Sequence, residues 1–129
     1  MKVFFVDDDK SVNTYHRIIA EEYGGFESYS FFNDPAEVVD ILASLDIKEY
    51  PDVLFLDINM PLMNGWEFLD ELEKREIKSP TIFIVSTSMN PKDKERAENH
   101  HLVSSFQSKP LSAELFNDIK KSLSENDLN

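Results

Sequence analysis

The chain has no cysteine, which removes both a disulfide framework and a thiolate metal centre. That absence agrees with a reducing compartment. No apolar run approaches the roughly 18 to 20 residues needed to span a bilayer, and the opening "MKVFFVDDD" meets acids too early for a signal peptide. A cytoplasmic location is therefore expected. Basic residues are also scarce: 13 Lys and Arg stand against 25 Asp and Glu, for a formal net charge of −12 at pH 7. Nucleic-acid binding leans on Lys and Arg neutralising phosphates, so this surface suits a protein partner or a cation instead. There is no internal repeat, no low-complexity linker and no charge block beyond the tail "SENDLN", which is expected to fray.

What is present suffices for a core. A length of 129 residues, with 41% apolar and 12% aromatic residues, fits one domain over 1–129, and no further domain is expected. "KVFFV" at 2–6, "DVLFL" at 52–56 and "TIFIV" at 81–85 are apolar runs too short for helices, and they read as interior parallel strands. "FESYSFF" at 26–32 and "VSSFQS" at 103–108 are weaker strands, the second with the polar alternation of an edge.

Helical segments with start signals lie between and after these runs. Ser11 precedes "VNTYHRIIAEEY"; Asp34, Pro35 and Glu37 open the second helix as cap, first-turn proline and capping box. Asn64-Gly65 opens the third, Asn90 with Pro91 and Asp93 the fourth, and Ser112 the fifth. Gly24-Gly25 reads as a helix stop. Strand and helix alternate five times, which implies an α/β fold with a doubly wound parallel sheet.

One residue conflicts with a purely structural reading. Asp57 follows the apolar run Val53 to Leu56, where an unpaired charge is costly to bury. In open parallel sheets ligands gather at the carboxyl ends of the strands, so the residues there carry the information. They are Asp7, Asp8 and Asp9 after the first strand, Asp57 after the third, Ser86, Thr87 and Ser88 after the fourth, and Lys109-Pro110 after the fifth. Taken singly, an acidic trio reads as a solvated turn and "SKP" as a surface loop. Together they make a pocket. Two carboxylates about 5 Å apart repel by roughly 3 kcal/mol at an effective dielectric near 20, so a positive group must sit among them. Lys109 supplies one charge, and a hard divalent cation such as Mg²⁺ fits the oxygen donors.

The stretches "VDDD", "FLDINMPLMNG" and "QSKPL" resemble the receiver domains of two-component response regulators, over essentially the whole chain. The resemblance implies a flavodoxin-like receiver fold, with five strands in the order 2-1-3-4-5, five helices and a cis Lys109-Pro110 bond. It implies that Asp57 is the phosphoacceptor, taking a phosphoryl group from a phosphohistidine of a sensor histidine kinase or a histidine phosphotransfer protein. Asp8, Asp57 and the backbone carbonyl of Asn59 would bind Mg²⁺, with Asp7 holding a water on the ion, and Lys109 would pair with a phosphoryl oxygen. Asp9 is expected to be a solvated turn residue without a ligand role.

The resemblance further implies a switch hydroxyl, Ser86 or Thr87. "STSMNPKDKERA" is similar to a subgroup of stand-alone receivers with a serine-rich loop, which favours Ser86 and requires one extra residue in the loop that follows. Phe106 stands where the family has the aromatic switch partner, and Pro110 completes that set. The face made by the fourth helix, fifth strand and fifth helix, including Phe106 and Leu111, is expected to meet a downstream protein. Asn59 and Ser88 occupy positions that, in the family, tune loss of the phosphoryl group.

Other residues take structural readings. Trp66, Phe68, Leu69 and Leu72 are spaced as a helix core face, His16 lies inside the first helix, and His100 and His101 end the fourth, where a cation suits the helix dipole. Two alternatives differ in class. One is a pseudo-receiver that only docks partners. The other is a haloacid-dehalogenase-type phosphatase, whose motif wants an acid two residues after the nucleophile, where this chain has Asn59.

Overall fold

Each apolar run forms a strand and each capped segment a helix in the computed structural model, which describes residues 1–127. The strands are β1 (Lys2–Val6), β2 (Ser28–Phe32), β3 (Val53–Asp57), β4 (Thr81–Ser86) and β5 (Val103–Ser108). The helices are α1 (Lys10–Tyr23), α2 (Pro35–Ser44), α3 (Gly65–Lys74), α4 (Pro91–Asn99) and α5 (Ala113–Asp127). A short 3-10 turn at Ile47–Glu49, for which the sequence pattern gave no signal, leads into β3. No helix among the described residues is long and apolar enough to cross a membrane.

The strands form one parallel sheet in the order β2-β1-β3-β4-β5. Parallel strands need crossover helices, and these cover both faces. On one face Val38, Leu42, Phe68, Leu69, Leu72 and Ala97 pack on Leu54, Leu56, Ile82 and Ile84. On the other, Ile19, Ala20, Phe116 and Ile119 pack on Val3, Phe5, Val53 and Phe55. Phe5 centres the second layer, with its ring 4.5 Å from that of Phe31 and 5.1 Å from that of Phe55. Central β3 is buried at every position, Asp57 included, whereas edge strand β5 has no fully buried residue.

Local chemistry differs from the sequence expectation at several points. The cap of α1 is Asp9, not Ser11: its carboxylate accepts from the Ser11 and Val12 N–H groups. The third acid of the trio thus stabilises a helix start rather than a ligand. At α2 Asp34 accepts from Ala36 N–H, but the reciprocal Glu37 bond of a capping box is not made. The box occurs at α3, where Asn64 and Glu67 exchange bonds. Gly24 ends α1 at φ 64°, a left-handed conformation that a Cβ would oppose. Helix α5 runs to Asp127, so most of the tail expected to fray is helical, while residues 128–129 lie outside the described residues.

The ladder between β4 and β5 contains a one-residue bulge. Ile82 pairs with Val103 but Phe83 pairs with Ser105, so Ser104 is skipped in the ladder. This bulge lets β5 end opposite β4 in the register that matters, Ser86 against Ser108.

Candidate functional site

The sheet switches direction at β1: the chain moves outward to β2, then crosses back to β3 on the other side. The carboxyl ends of β1 and β3 therefore flank a crevice with no helix crossing it. Register fills that crevice with acids. Val6 pairs with Leu56, so Asp7 and Asp57 stand side by side one residue further on. Carboxylate oxygens of Asp7, Asp8 and Asp57 lie within 4.8 Å of one another. Asp7 and Asp57 are only 4% and 5% exposed, while Asp8 sits at the rim.

Lys109 completes the cluster. Its Nζ is 2.6 Å from Asp7 Oδ2 and 3.3 Å from Asp57 Oδ1. Its backbone N–H donates to the Ser86 carbonyl at 3.0 Å, which anchors the turn after β5 to the end of β4. The Lys109-Pro110 bond is cis. Burial alone would lower the pKa of this ammonium, but the hydrogen bond to Asp7 and the charges of Asp57 and Asp7 outweigh it and raise it above the ordinary value.

Asp57 titrates unlike a surface carboxylate. Burial first, and then the neighbouring Asp7 charge, push its pKa up to about 6 against the opposing pull of Lys109 and the Asn59 N–H. That N–H lies 3.4 Å from Asp57 Oδ1, so the main chain of exposed Asn59 runs against the Asp57 carboxylate. Three carboxylates and one ammonium leave a formal charge of −2. Hard oxygen donors with an uncompensated double negative charge fit Mg²⁺.

Gly65 holds α3 against this loop. Its N–H donates to the Ile58 carbonyl at 2.9 Å, and a Cβ there would lie 2.7 Å from the Asp57 carbonyl oxygen. Only glycine allows the helix to start this close to Asp57.

The two candidate hydroxyls occupy different environments. Ser86, the last residue of β4, is 1% exposed and its Oγ accepts from the Ser88 N–H at 3.0 Å; Thr87 is exposed. Ser88 Oγ in turn donates to Asp93 Oδ2 at 2.6 Å and accepts from Asn90 N–H, which joins the loop to the first turn of α4. Phe106 is half-buried and packs against the α2–α3–α4 side of the core. Leu111, expected on the surface face, is instead 2% exposed in the α1–α5 core, because the turn after Pro110 directs it inward.

Two residues near the acids carried no functional expectation. Asn13 donates its amide to the Asp7 carbonyl at 2.9 Å. His16 is buried, and its Nε2 accepts from Leu111 N–H at 3.3 Å, which ties α1 to the Lys109 turn. Burial, reinforced by Lys109 and opposed by Asp7, lowers its pKa to about 4, so at neutral pH it is an uncharged acceptor. The spacing of Val12, His16, Ile19 and Ala20 on one helix face was the available signal.

Comparison with known proteins gives a consistent outcome. A family model described as the response regulator receiver domain matches residues 3–120. The chain is 33% identical over 97 residues to a protein-glutamate methylesterase/protein-glutamine glutaminase 3 of Leptospira interrogans, covering 75% of this chain and 26% of that protein. It is 32% identical over 88 residues to the transcriptional regulatory protein LytR of Staphylococcus aureus, covering 68% of this chain and 33% of that one. The chain thus matches only about a quarter to a third of these curated relatives' lengths. Among solved structures, a two-component response regulator from Cytophaga hutchinsonii superposes with a TM-score of 0.84 at 27% identity, covering 96% of each chain.

Proposed function

We infer, from the premise that this chain belongs to the response regulator receiver family, that it accepts a phosphoryl group on Asp57 and signals through the resulting change of shape. The observation that carries this reading is the buried Asp57 carboxylate, set between Asp7 and Lys109 at the open edge of the sheet. One Asp57 oxygen attacks the phosphorus of a phosphohistidine on a sensor kinase or histidine phosphotransfer protein. The P–N bond breaks, the imidazole leaves, and an acyl phosphate forms. Mg²⁺ held by Asp8, Asp57 and the Asn59 carbonyl, with Asp7 behind them, would offset charge on the phosphoryl oxygens. Lys109, freed from Asp57 as that carboxylate becomes a mixed anhydride, pairs with one of those oxygens.

Ser86 rather than Thr87 is the switch hydroxyl in this reading; its burial at the end of β4 supports the choice. When Ser86 turns toward the phosphoryl group, its contact with Ser88 N–H changes, and the Ser88–Asp93 bond passes that change to α4. Coupling of this kind rests on contacts that differ between the two states. Phe106 and Pro110 line a groove of about 610 Å³ between α4, β5 and α5, together with Ser88 and Leu115, and a downstream protein reads this face. No specific observation favours the phosphatase or the pseudo-receiver.

Trp66 offers the test. It is the only indole, 8% exposed, beside the Gly65 contact to Asp57, and the Arg96 guanidinium of α4 lies 4.3 Å from its ring centroid. Its emission is expected to change on adding Mg²⁺ and again on adding acetyl phosphate, the second step vanishing in Asp57→Asn. A response to neither reagent would favour a docking-only module.

A further inference from the structure

We propose that Glu73, His100 and His101 form a second metal site, separate from the acidic pocket, that takes a transition-metal dication of the Zn²⁺ class. Glu73 lies in the last turns of α3, and the two histidines form the turn between α4 and β5. Neighbouring residues commonly diverge, yet these two rings lie parallel, 5.1 Å apart and 6° from coplanar orientation, with both Nε2 atoms toward one Glu73 oxygen. The separations are 3.7 Å from His100 and 3.4 Å from His101. Both exceed the roughly 2.7 to 2.9 Å of a charge-assisted hydrogen bond. They approach the roughly 3.3 Å expected between two ligands that each stand about 2.0 to 2.1 Å from one tetrahedral ion.

The donor set decides the ion. Two imidazoles and one carboxylate suit Zn²⁺, Cu²⁺ or Ni²⁺, whereas the all-oxygen pocket beside Asp57 suits Mg²⁺. Three protein ligands leave a fourth position for water or a group from another molecule. Coordination has one identifiable local consequence. His100 Nδ1 accepts from Leu102 N–H at 3.2 Å, which leaves the proton of the neutral ring on Nε2. Binding through Nε2 moves that proton to Nδ1, so the Leu102 amide loses its acceptor. The ion would tie α3 to the turn that follows α4.

Trp66 reports on the site, because its ring stacks on His100 at 6.4 Å between centroids. The experiment titrates Cu²⁺ into the protein at neutral pH with Mg²⁺ saturating the acidic pocket, follows Trp66 emission, then competes with Zn²⁺. The same titration is run on His101→Ala and Glu73→Gln, both at exposed positions. Expected are quenching that saturates near one equivalent, reversal by a large excess of Zn²⁺, at least a tenfold loss of apparent affinity in each variant, and a Zn²⁺-dependent shift of the Leu102 amide resonance. Absence of quenching, or quenching of unchanged affinity in both variants, would overturn the proposal.

Discussion

Asp57→Asn is expected to be more stable than the parent chain when divalent cations are removed, although it deletes the proposed phosphoacceptor. The folded-state pKa of Asp57, about 6, lies above its ordinary value of 3.8, so the native protein binds this proton more tightly than the unfolded chain. Stability from this group is therefore fully present below the ordinary pKa and declines as pH rises through the folded one. Roughly two pKa units correspond to about 3 kcal/mol of destabilisation above pH 6, and Asn removes the charge that causes it. For a chain of this length that means a melting temperature higher by on the order of 10 °C near pH 7.5. The difference should shrink toward zero near about pH 4, where the parent carboxyl is protonated as well. Mg²⁺ should raise the parent's melting temperature and do little for the variant, because ligand binding to the native state alone adds stability. Equal melting temperatures at neutral pH without metal would contradict the burial and Asp7 repulsion assigned here.

Lys109→Met is expected to act in the opposite direction. It removes the ammonium 2.6 Å from Asp7 and 3.3 Å from Asp57 and leaves two adjacent buried carboxylates facing each other. Breaking a buried pair in this way costs about 3 to 5 kcal/mol, a large share of the roughly 5 to 15 kcal/mol that holds a typical domain together. Urea unfolding without metal measures it. In the Lys109→Met background, Asp57→Asn should stabilise by more than the roughly 3 kcal/mol it adds to the parent chain, because there it removes a buried charge that no ammonium offsets. Groups in one network are non-additive in this sense, whereas independent ones add. Additive effects would mean that Lys109 stabilises the fold through something other than these acids.

The same contrast explains what could be read from sequence. Strand ends were legible because apolar runs stop where the chain leaves the sheet, so Asp7, Asp57, Ser86 and Lys109 could be placed on one edge before any distance was known. Choices among adjacent residues of similar chemistry were less legible. Asp9 and Ser11 both suit a helix cap, and only the path of the chain leaving β1 puts the Asp9 carboxylate at the open N–H groups. Leu111 read as part of a surface face because its burial depends on how the Lys109-Pro110 turn meets α1. His16 belongs to the same case: its helix face was visible, but its partner lies 95 residues away. Glu73 and the two histidines meet only when α3 and the α4–β5 turn pack side by side, which no local pattern encodes.

The charge arrangement also defines what must be shown about function. A sheet edge with a formal charge of −2 and a carboxyl whose pKa is raised to about 6 is poorly suited to bind a phosphoryl group unless a dication is present. The most direct measurement is the intact mass of the protein after incubation with acetyl phosphate, with and without Mg²⁺, for the parent chain and Asp57→Asn. The account predicts the mass of one added phosphoryl group in the parent with Mg²⁺, little without it, and none in Asp57→Asn. Borohydride trapping should place that group on the peptide containing Asp57. A parent chain that stays unmodified with Mg²⁺, or an Asp57→Asn variant modified as fully as the parent, would contradict it.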